Sequence, residues 1–280
     1  MKDKDTPLLD ARYSWREAKE SPRRFRQIML ILACILTLPL LIGLIQLAQL
    51  LDNLQSACLV DSRGEQVCSI QVAQALPEGC PPACQGADLA QASLNGVDLI
   101  SANFSEANLQ QAELRQTRLM EANFDGANLR RTNFQGARLF GASFQDATLD
   151  YANFSQANLP GVDLRGRNLQ DVTFFEANLA GANLHSAVLI QTDMVKAILN
   201  EANLREAVLR DADLTKADLY EALLLLSDLR GANLSGADLR GADLREAQLD
   251  DAIFDTAIYS NSTRWPEGFD PISRGAILQY

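Results

Sequence analysis

The chain has 280 residues, of which 47% are hydrophobic but only 6% are aromatic, and its formal net charge at pH 7 is −11. Residues 1–26 carry eight Lys and Arg against five Asp and Glu, which leaves 17 against 31 for the rest of the chain. A surface this acidic excludes general binding to the phosphate backbone of nucleic acids, because that binding requires Lys and Arg. Nucleic acid is therefore not an expected partner, whereas a basic protein is compatible with the charge.

A transmembrane helix is predicted over residues 27–51, preceded by a basic cytoplasmic segment at residues 1–26. Residues 28–45 contain no charged side chain. They would form a helix of about 27 Å, which nearly spans the hydrocarbon of a bilayer. Six Lys and Arg lie between residues 12 and 26, whereas Arg63 is the only one in the sixteen residues that follow Leu51. By the positive-inside rule, the N-terminus is cytoplasmic and the chain beyond this membrane anchor is periplasmic or thylakoid-lumenal.

Three alternatives for the apolar segment are weaker. A buried core helix would need a large globular core, which a repetitive sequence does not form. A cleavable signal peptide would have a shorter basic region and a cleavage site of small residues close behind the apolar run. Residues 54–58 resemble a bacterial lipoprotein cleavage site, but they lie too far beyond the apolar run and have Gln55 where an apolar residue is needed.

Four of the five cysteines lie within 27 residues, between the apolar segment and the repeats, and the fifth lies inside the apolar segment. An even number of clustered cysteines predicts two disulfides in an oxidising compartment, in agreement with the predicted topology. The four cysteines can pair in three ways, and the sequence does not distinguish among them. The alternative is a zinc site with four thiolates, although only the last two cysteines are spaced like half of a metal-binding knuckle. The candidate disulfide cysteines are Cys58, Cys68, Cys80 and Cys84.

From residue 87 to residue 259 the sequence repeats every five residues without an insertion. The 35 positions numbered in 4 or 9 between Leu89 and Tyr259 hold 26 Leu, seven Phe, one Met and one Tyr. Ala occupies 27 of the positions two residues earlier, and the residue between is usually Asn or Asp. The order of a small, a polar and a large residue is typical of a short strand whose small and large side chains point inward. The remaining two residues of each repeat turn the chain. A period of five excludes an α-helical array and a coiled coil.

The large inward side chains predict four repeats per coil. Most of the inward Phe residues fall into two series with a spacing of twenty residues: Phe104, Phe124 and Phe144, and Phe134, Phe154 and Phe174. The two series are offset by ten residues. A four-sided coil therefore places them on opposite faces.

Runs such as residues 232–241, Ala-Asn-Leu-Ser-Gly-Ala-Asp-Leu-Arg-Gly, resemble the A(D/N)LXX signature of the pentapeptide repeat family. The resemblance covers residues 87–259. It implies an all-β fold, a right-handed quadrilateral parallel β-helix, in which the Leu or Phe position and the small position before it both point inward. The tail around Trp265 is similar to the end of many cyanobacterial members. The predicted fold class is therefore this solenoid together with an N-terminal transmembrane helix.

Both ends of the predicted β-helix require a cap, because an open end exposes unpaired strand groups. We predict the N-terminal cap within a cysteine-containing linker at residues 52–86, which includes a helix-like segment at residues 69–76. The β-helix then spans residues 87–259, and residues 260–280 form the C-terminal cap.

The sequence contains no catalytic constellation, and the protein is not expected to be an enzyme. Its single histidine, His185, is at an outward position, and the repeats contain no cysteine that could act as a nucleophile beside it. The frequent Asp before the inward Leu is a repeat feature that stabilises turns. We therefore expect no catalytic residues, no metal site and no cofactor.

The outward positions are informative, because a four-sided coil stacks residues twenty apart into columns. One column is apolar where polar residues are the rule, and aligned apolar side chains on a surface are typical of protein-binding sites. The alternative is a few scattered apolar groups, as on every protein. The candidate partner-binding stripe is Ile100, Met120, Phe140 and Tyr220, with Pro160 between the last two.

Arg167 is exceptional among the inward positions, because it stands in a column of Ala interrupted otherwise only by Ser227. A charged side chain does not fit a narrow apolar core. Arg167 therefore predicts a local distortion near residues 160–161, with the charged end of its side chain in water.

These features predict a membrane-anchored, non-enzymatic interaction scaffold. It presents a rigid β-helix outside the cytoplasm to an unknown protein partner, in the assembly or maintenance of a membrane complex. The resemblance implies an alternative, because some family members are acidic DNA mimics that bind topoisomerases. That activity requires the cytoplasm, which disagrees with the predicted topology.

Overall fold

The structure is a computed structural model that describes residues 58–60, 66–68, 80 and 83–279. The predicted segments 1–26, 27–51 and 69–76 lie outside these residues. Within the described part of the chain, no helix has the length and apolar character needed to cross a bilayer.

The cysteine-containing segment begins with a short antiparallel pair, β1 (Cys58–Val60) and β2 (Gln66–Cys68). Their register places Cys58 opposite Cys68. A disulfide joins Cys80 to Cys84, whose Cα atoms are 4.8 Å apart. The structure therefore groups the four cysteines as two neighbouring pairs, and their oxidation in the cell stays a prediction.

A β-helix of parallel bridges follows, from Ala83 onward. The bridges join residues twenty positions apart, beginning with Ala83 and Asn103, and they recur on four faces. The prediction of four repeats per coil is confirmed. The ladder begins before the predicted boundary at residue 87, because Cys84 fills the inward position of one additional repeat and is buried. Each strand is minimal, since a face contributes a single bridged residue.

The core consists of the two inward positions of each repeat. Nearly all of the Leu, Phe and Ala side chains at these positions are fully buried. The two predicted Phe series form stacked columns, with centroid distances of 5.3 and 5.2 Å in one and 4.8 and 5.4 Å in the other. Rings of one column meet those of the other edge-on at 5.6–6.3 Å. The two Phe columns therefore contact each other and form one continuous aromatic core.

Four-residue turns form the corners of each coil. In the turn from Leu89 to Ala92, the Ala92 N–H donates to the Leu89 carbonyl at 3.1 Å, and Gln91 between them has a φ of 61°. The same conformation recurs at corner after corner, in most cases on residues other than Gly. The Asn or Asp side chain of the repeat accepts the N–H two residues later, as Asn103 does from Ser105 at 3.0 Å. These bonds agree with the turn-stabilising role predicted for the Asp and Asn positions.

The C-terminal end of the β-helix is covered by a short irregular segment. Strand β3 (Ile258–Tyr259) pairs in parallel with β4 (Ile277–Leu278), and a 3-10 helix (Ile272–Arg274) precedes β4. Trp265 stacks on Phe269 at 5.0 Å and meets Phe254 of the last coil edge-on at 5.6 Å. This aromatic cluster shields the last layer of the core from solvent.

Replacing Phe154 with Ala is expected to lower the free energy of unfolding by about 3–5 kcal/mol, because it leaves a cavity where the two Phe columns meet. The control is Phe140→Ala at an exposed corner, for which a change within about 0.5 kcal/mol is expected. Urea unfolding of the full chain in detergent, followed by circular dichroism, measures both. Equal losses for the two variants would contradict the aromatic core.

Candidate partner-binding surface

Four of the predicted apolar residues form a continuous column at one corner of successive coils: Ile100, Met120, Phe140 and Pro160. Main-chain bonds link the first three corners, since the Ser101 N–H donates to the Met120 carbonyl at 2.8 Å and the Glu121 N–H to the Phe140 carbonyl at 2.9 Å. Ile100 is 37% exposed and Phe140 is 59% exposed, whereas Met120 and Pro160 are half-buried. We call these four residues the apolar column.

Tyr220 does not belong to this continuous surface, although it lies at the same corner. Ala180 and Asn200 occupy the coils between Pro160 and Tyr220. The guanidinium of Arg240 lies 5.9 Å from the centre of the Tyr220 ring, and a hydrogen bond with Glu221 raises the pKa of the Tyr220 hydroxyl. The structure thus unites three residues of the predicted stripe and separates the fourth; that the stripe binds a partner stays a prediction.

The parallel ladder is interrupted beside the apolar column. Between Ala83 and Arg264, successive coils are bridged on every face except at two adjacent positions, Ser143 to Asp163 and Thr148 to Asn168. One coil earlier, the Phe124 N–H donates to the Ser143 carbonyl at 2.8 Å. The equivalent N–H of Phe144 makes no main-chain bond within residues 83–279. Two neighbouring coils are therefore separated along two faces and remain paired on the other two.

This separation opens a cleft of about 840 Å³ between residues 140–146 and residues 160–167, with His185 and Ser186 at its far side. Phe140 and Pro160 of the apolar column line its mouth. A Cβ atom built on Gly166 would meet no atom within 4 Å, whereas one on Gly126 would touch the Glu106 side chain at 3.6 Å. We refer to this space as the cleft.

Arg167 lies in the cleft at the inward position predicted to be distorted. Its guanidinium donates to the Asp146 carboxylate at 3.1 Å, on the opposite side of the cleft, and to the Arg165 carbonyl at 3.4 Å. The Arg167 side chain is only 28% exposed, so its charge is paired and does not extend freely into water. The predicted distortion is present. Its physical cause is that the Arg side chain cannot enter the Ala column and leaves the core between the two coils.

The remaining charges of the cleft are also paired. Arg165 donates to both carboxylate oxygens of Asp163, at 2.9 and 2.7 Å. These hydrogen bonds lower the pKa of the Asp163 carboxyl below its ordinary value. The cleft is therefore close to neutral, with two carboxylates facing two guanidinium groups.

The cleft itself was not predicted from the sequence. Arg167 indicated the place of the opening but not its extent. The small corner residues Gly141, Gly161 and Gly166 add a second signal, because they leave both lips of the cleft without side chains. Among the described residues, no group of three or more His, Cys, Asp and Glu could hold a metal ion.

The family model described as pentapeptide repeats matches eight copies in this chain, over residues 84–120, 117–150, 127–166, 168–205, 196–224 and 227–258. The chain belongs to the pentapeptide repeat family. Its matched segments include the apolar column and both lips of the cleft. No curated protein matches the chain.

Several solved structures of pentapeptide repeat proteins resemble the chain. HetL of the cyanobacterium Nostoc, involved in heterocyst differentiation regulation, is 33% identical over 61% of this chain and 80% of its own, with a TM-score of 0.39. A protein of the Arabidopsis thaliana thylakoid lumen is 26% identical over 44% and 71%, with a TM-score of 0.19. QnrB1, a plasmid-mediated fluoroquinolone resistance protein, is 23% identical over 60% and 85%, with a TM-score of 0.32.

Replacing Arg167 with Ala is expected to raise the free energy of unfolding by about 1 kcal/mol or more. The change restores the Ala column and allows the two missing bridges to form, and each regained hydrogen bond contributes about 0.5–1.5 kcal/mol. The matched control is Arg165→Ala, which removes a solvated arginine from the same cleft and leaves the ladder as it is. Thermal unfolding of the full chain measures both variants. Destabilisation by Arg167→Ala would contradict the view that Arg167 holds the coils apart.

Proposed function

We propose that this pentapeptide repeat protein is a membrane-anchored, non-enzymatic interaction scaffold. The helix predicted at residues 27–51 tethers it in a single pass, with the N-terminus in the cytoplasm. The β-helix lies in the periplasm or the thylakoid lumen and presents its corners to a protein partner, in the assembly or maintenance of a membrane complex. Two disulfides among Cys58, Cys68, Cys80 and Cys84 stabilise the segment next to the membrane.

The apolar column is the observation that carries this proposal. The outward corners of the β-helix are mostly polar or charged, and a solvated column needs no apolar side chain. Ile100, Met120, Phe140 and Pro160 follow one another without interruption, and the Phe140 ring is 59% exposed. An aligned set of this kind is typical of a surface that another protein covers.

The β-helix suits such a surface because most of its main chain is fixed by hydrogen bonds between successive coils. The corners of the apolar column at Met120 and Phe140 are both tied to the preceding coil. A partner therefore meets side chains whose spacing is already set, and it orders little of the scaffold when it binds. Preorganisation of this kind increases affinity, since less conformational entropy is lost on association.

Replacing Phe140 with Asp is expected to weaken capture of the partner by about tenfold or more, because a charge is introduced at the centre of an apolar contact. The same is expected of Met120→Asp. The control is Leu226→Asp, at a corner outside the column whose side chain is also exposed. Crosslinking of the full chain in its native membrane, followed by quantitative mass spectrometry of the captured proteins, compares the variants. Identical capture by wild type and Phe140→Asp would contradict the proposal.

The proposed sidedness has its own test. A C-terminal alkaline phosphatase fusion is expected to be active, because this enzyme requires an oxidising compartment for its disulfides. A C-terminal green fluorescent protein fusion is expected to be dark. A fluorescent and phosphatase-negative pair would place the β-helix in the cytoplasm and contradict the localisation.

A further inference from the structure

Main-chain hydrogen-bonding groups of two adjacent coils lack their usual partners along the two separated faces. In most of the β-helix these groups bond to the next coil, as Gly126 N–H does to the Gln145 carbonyl at 2.7 Å and Leu129 N–H to the Thr148 carbonyl at 2.8 Å. Along the two separated faces they make no main-chain bond within residues 83–279. The N–H groups concerned are those of Gly141, Phe144, Asp146, Leu149 and Tyr151 on one edge and of Asp163 and Asn168 on the other.

The acceptors for these donors are equally available. In the regular pattern the Phe144 N–H would bond to the Asp163 carbonyl, and the Leu149 N–H to the Asn168 carbonyl. Both carbonyls belong to the second coil, and within the described part of the chain neither accepts a main-chain hydrogen bond. The two edges thus offer unpaired donors and acceptors on each of two adjacent faces. Unpaired strand edges are the surfaces to which extended polypeptides add.

The side chains of the cleft do not favour a charged ligand. An anion would need free cationic groups, but Arg165 is bonded to Asp163 and Arg167 to Asp146. A cation would need free carboxylates, and the same two pairs occupy them. Beside the Gln145, His185 and Ser186 side chains in its lining, the polar groups left for a ligand are those of the main chain. Because the paired charges cancel, the cleft is complementary to an uncharged segment.

We propose that the cleft binds an extended, uncharged segment of the partner protein, which hydrogen-bonds its main chain to the open edges of the two coils. The cavity of about 840 Å³ is within the size range of sites that enclose small ligands and short segments of chain. This proposal deepens the proposed function and takes from it only that the ligand is a protein.

The lips of the cleft allow the main chain of a ligand to approach closely. A Cβ atom built on Gly161 or Gly166 would meet nothing within 4 Å, so neither lip is blocked. Phe140 and Pro160 stand at the mouth and continue into the apolar column. The bound segment therefore carries an apolar side chain where it passes Phe140, and a small side chain where it faces Ala142.

Arg167 has a specific role in this site, because it keeps the two edges apart in the absence of a ligand. Its link to Asp146 spans the cleft where a main-chain bond would otherwise close it. In a regular part of the β-helix, the edge of each coil is hydrogen-bonded to the next coil. Here a single arginine leaves them free for another chain.

The test uses the purified full chain in detergent micelles and peptides selected on it from a random peptide library. Selected peptides are resynthesised with alternate amides N-methylated, which removes the N–H donors but retains the side chains. We expect N-methylation to weaken binding by about tenfold or more, because the recognition is through main-chain hydrogen bonds. We expect a similar loss in Arg167→Ala, with closure of its ladder checked by amide hydrogen exchange of Phe144 and Leu149.

A second variant blocks the cleft without closing the ladder. Gly161→Gln places a side chain on its lip, at a corner conformation that Gln already adopts at Gln111 and Gln191. It is expected to weaken peptide binding, whereas Gly181→Gln, the same change one coil later and outside the lining, is expected to have no effect. Failure to select any peptide, or equal binding by the N-methylated peptide, or equal binding by Gly161→Gln, would overturn the proposal.

Two further results separate this proposal from the proposed function. If crosslinking to the partner is lost in Phe140→Asp but retained in both Arg167→Ala and Gly161→Gln, the scaffold function stands and the cleft proposal is wrong. If the wild-type chain forms dimers in sedimentation experiments and Gly161→Gln does not, a second copy of this chain occupies the cleft, and the proposal of a different partner is also wrong.

Discussion

The structure depends on main-chain hydrogen bonds between successive coils, which bridge residues twenty positions apart. Each bridge, such as that of Asn103 with Asn123, fixes one face of a coil against the next and so sets the spacing of every side chain above and below it. The buried Leu, Phe and Ala side chains stabilise the stack, but they do so only in coils whose main chains are held in register. The alignment of Ile100, Met120 and Phe140 in the apolar column is a direct consequence, because main-chain bonds join their corners.

The cleft follows from a conflict between this constraint and one side chain. The inward position before the large residue has room for Ala, Val, Thr or Ser, and the buried hydroxyls satisfy themselves on nearby carbonyls, as Thr132 does on Leu109 at 2.7 Å. Arg167 can neither fit nor leave its charge unpaired in that space. It leaves the core between the coils, pairs with Asp146, and separates two faces of the ladder. Arg167 thus leaves unpaired the coil edges that are hydrogen-bonded to the next coil in the rest of the fold.

Much of the fold could be predicted from the sequence, because its signals are repeated. The period of five, the spacing of twenty between Phe residues and the Asn or Asp between the inward positions each recur many times, and the structure confirms the four-sided coil that they imply. The start of the ladder at Ala83 was missed, because Cys84 replaces the expected Leu. The contact between the two Phe columns was also missed. It depends on the width of the coil, which the repeat pattern alone does not determine.

The candidate surface was predictable only in part, for a physical reason. Columns follow from the period, so Ile100, Met120 and Phe140 could be aligned from the sequence, although the isolation of Tyr220 depends on which residues lie between. The extent of the cleft depends on how far the main chain yields to Arg167, and no pattern of residues states that. The two features together make a surface in which an apolar column leads to open strand edges.

Amide hydrogen exchange on the wild-type chain tests the interrupted ladder most directly. The N–H groups of Phe144 and Leu149 have no main-chain partner within residues 83–279, whereas those of Phe124 and Leu129, one coil earlier, bond to the next coil at 2.8 Å. The account predicts that Phe144 and Leu149 exchange at least about tenfold faster than Phe124 and Leu129, because their amides need no opening of the ladder. Equal protection of the four amides would show that the coils are paired throughout and would contradict the account.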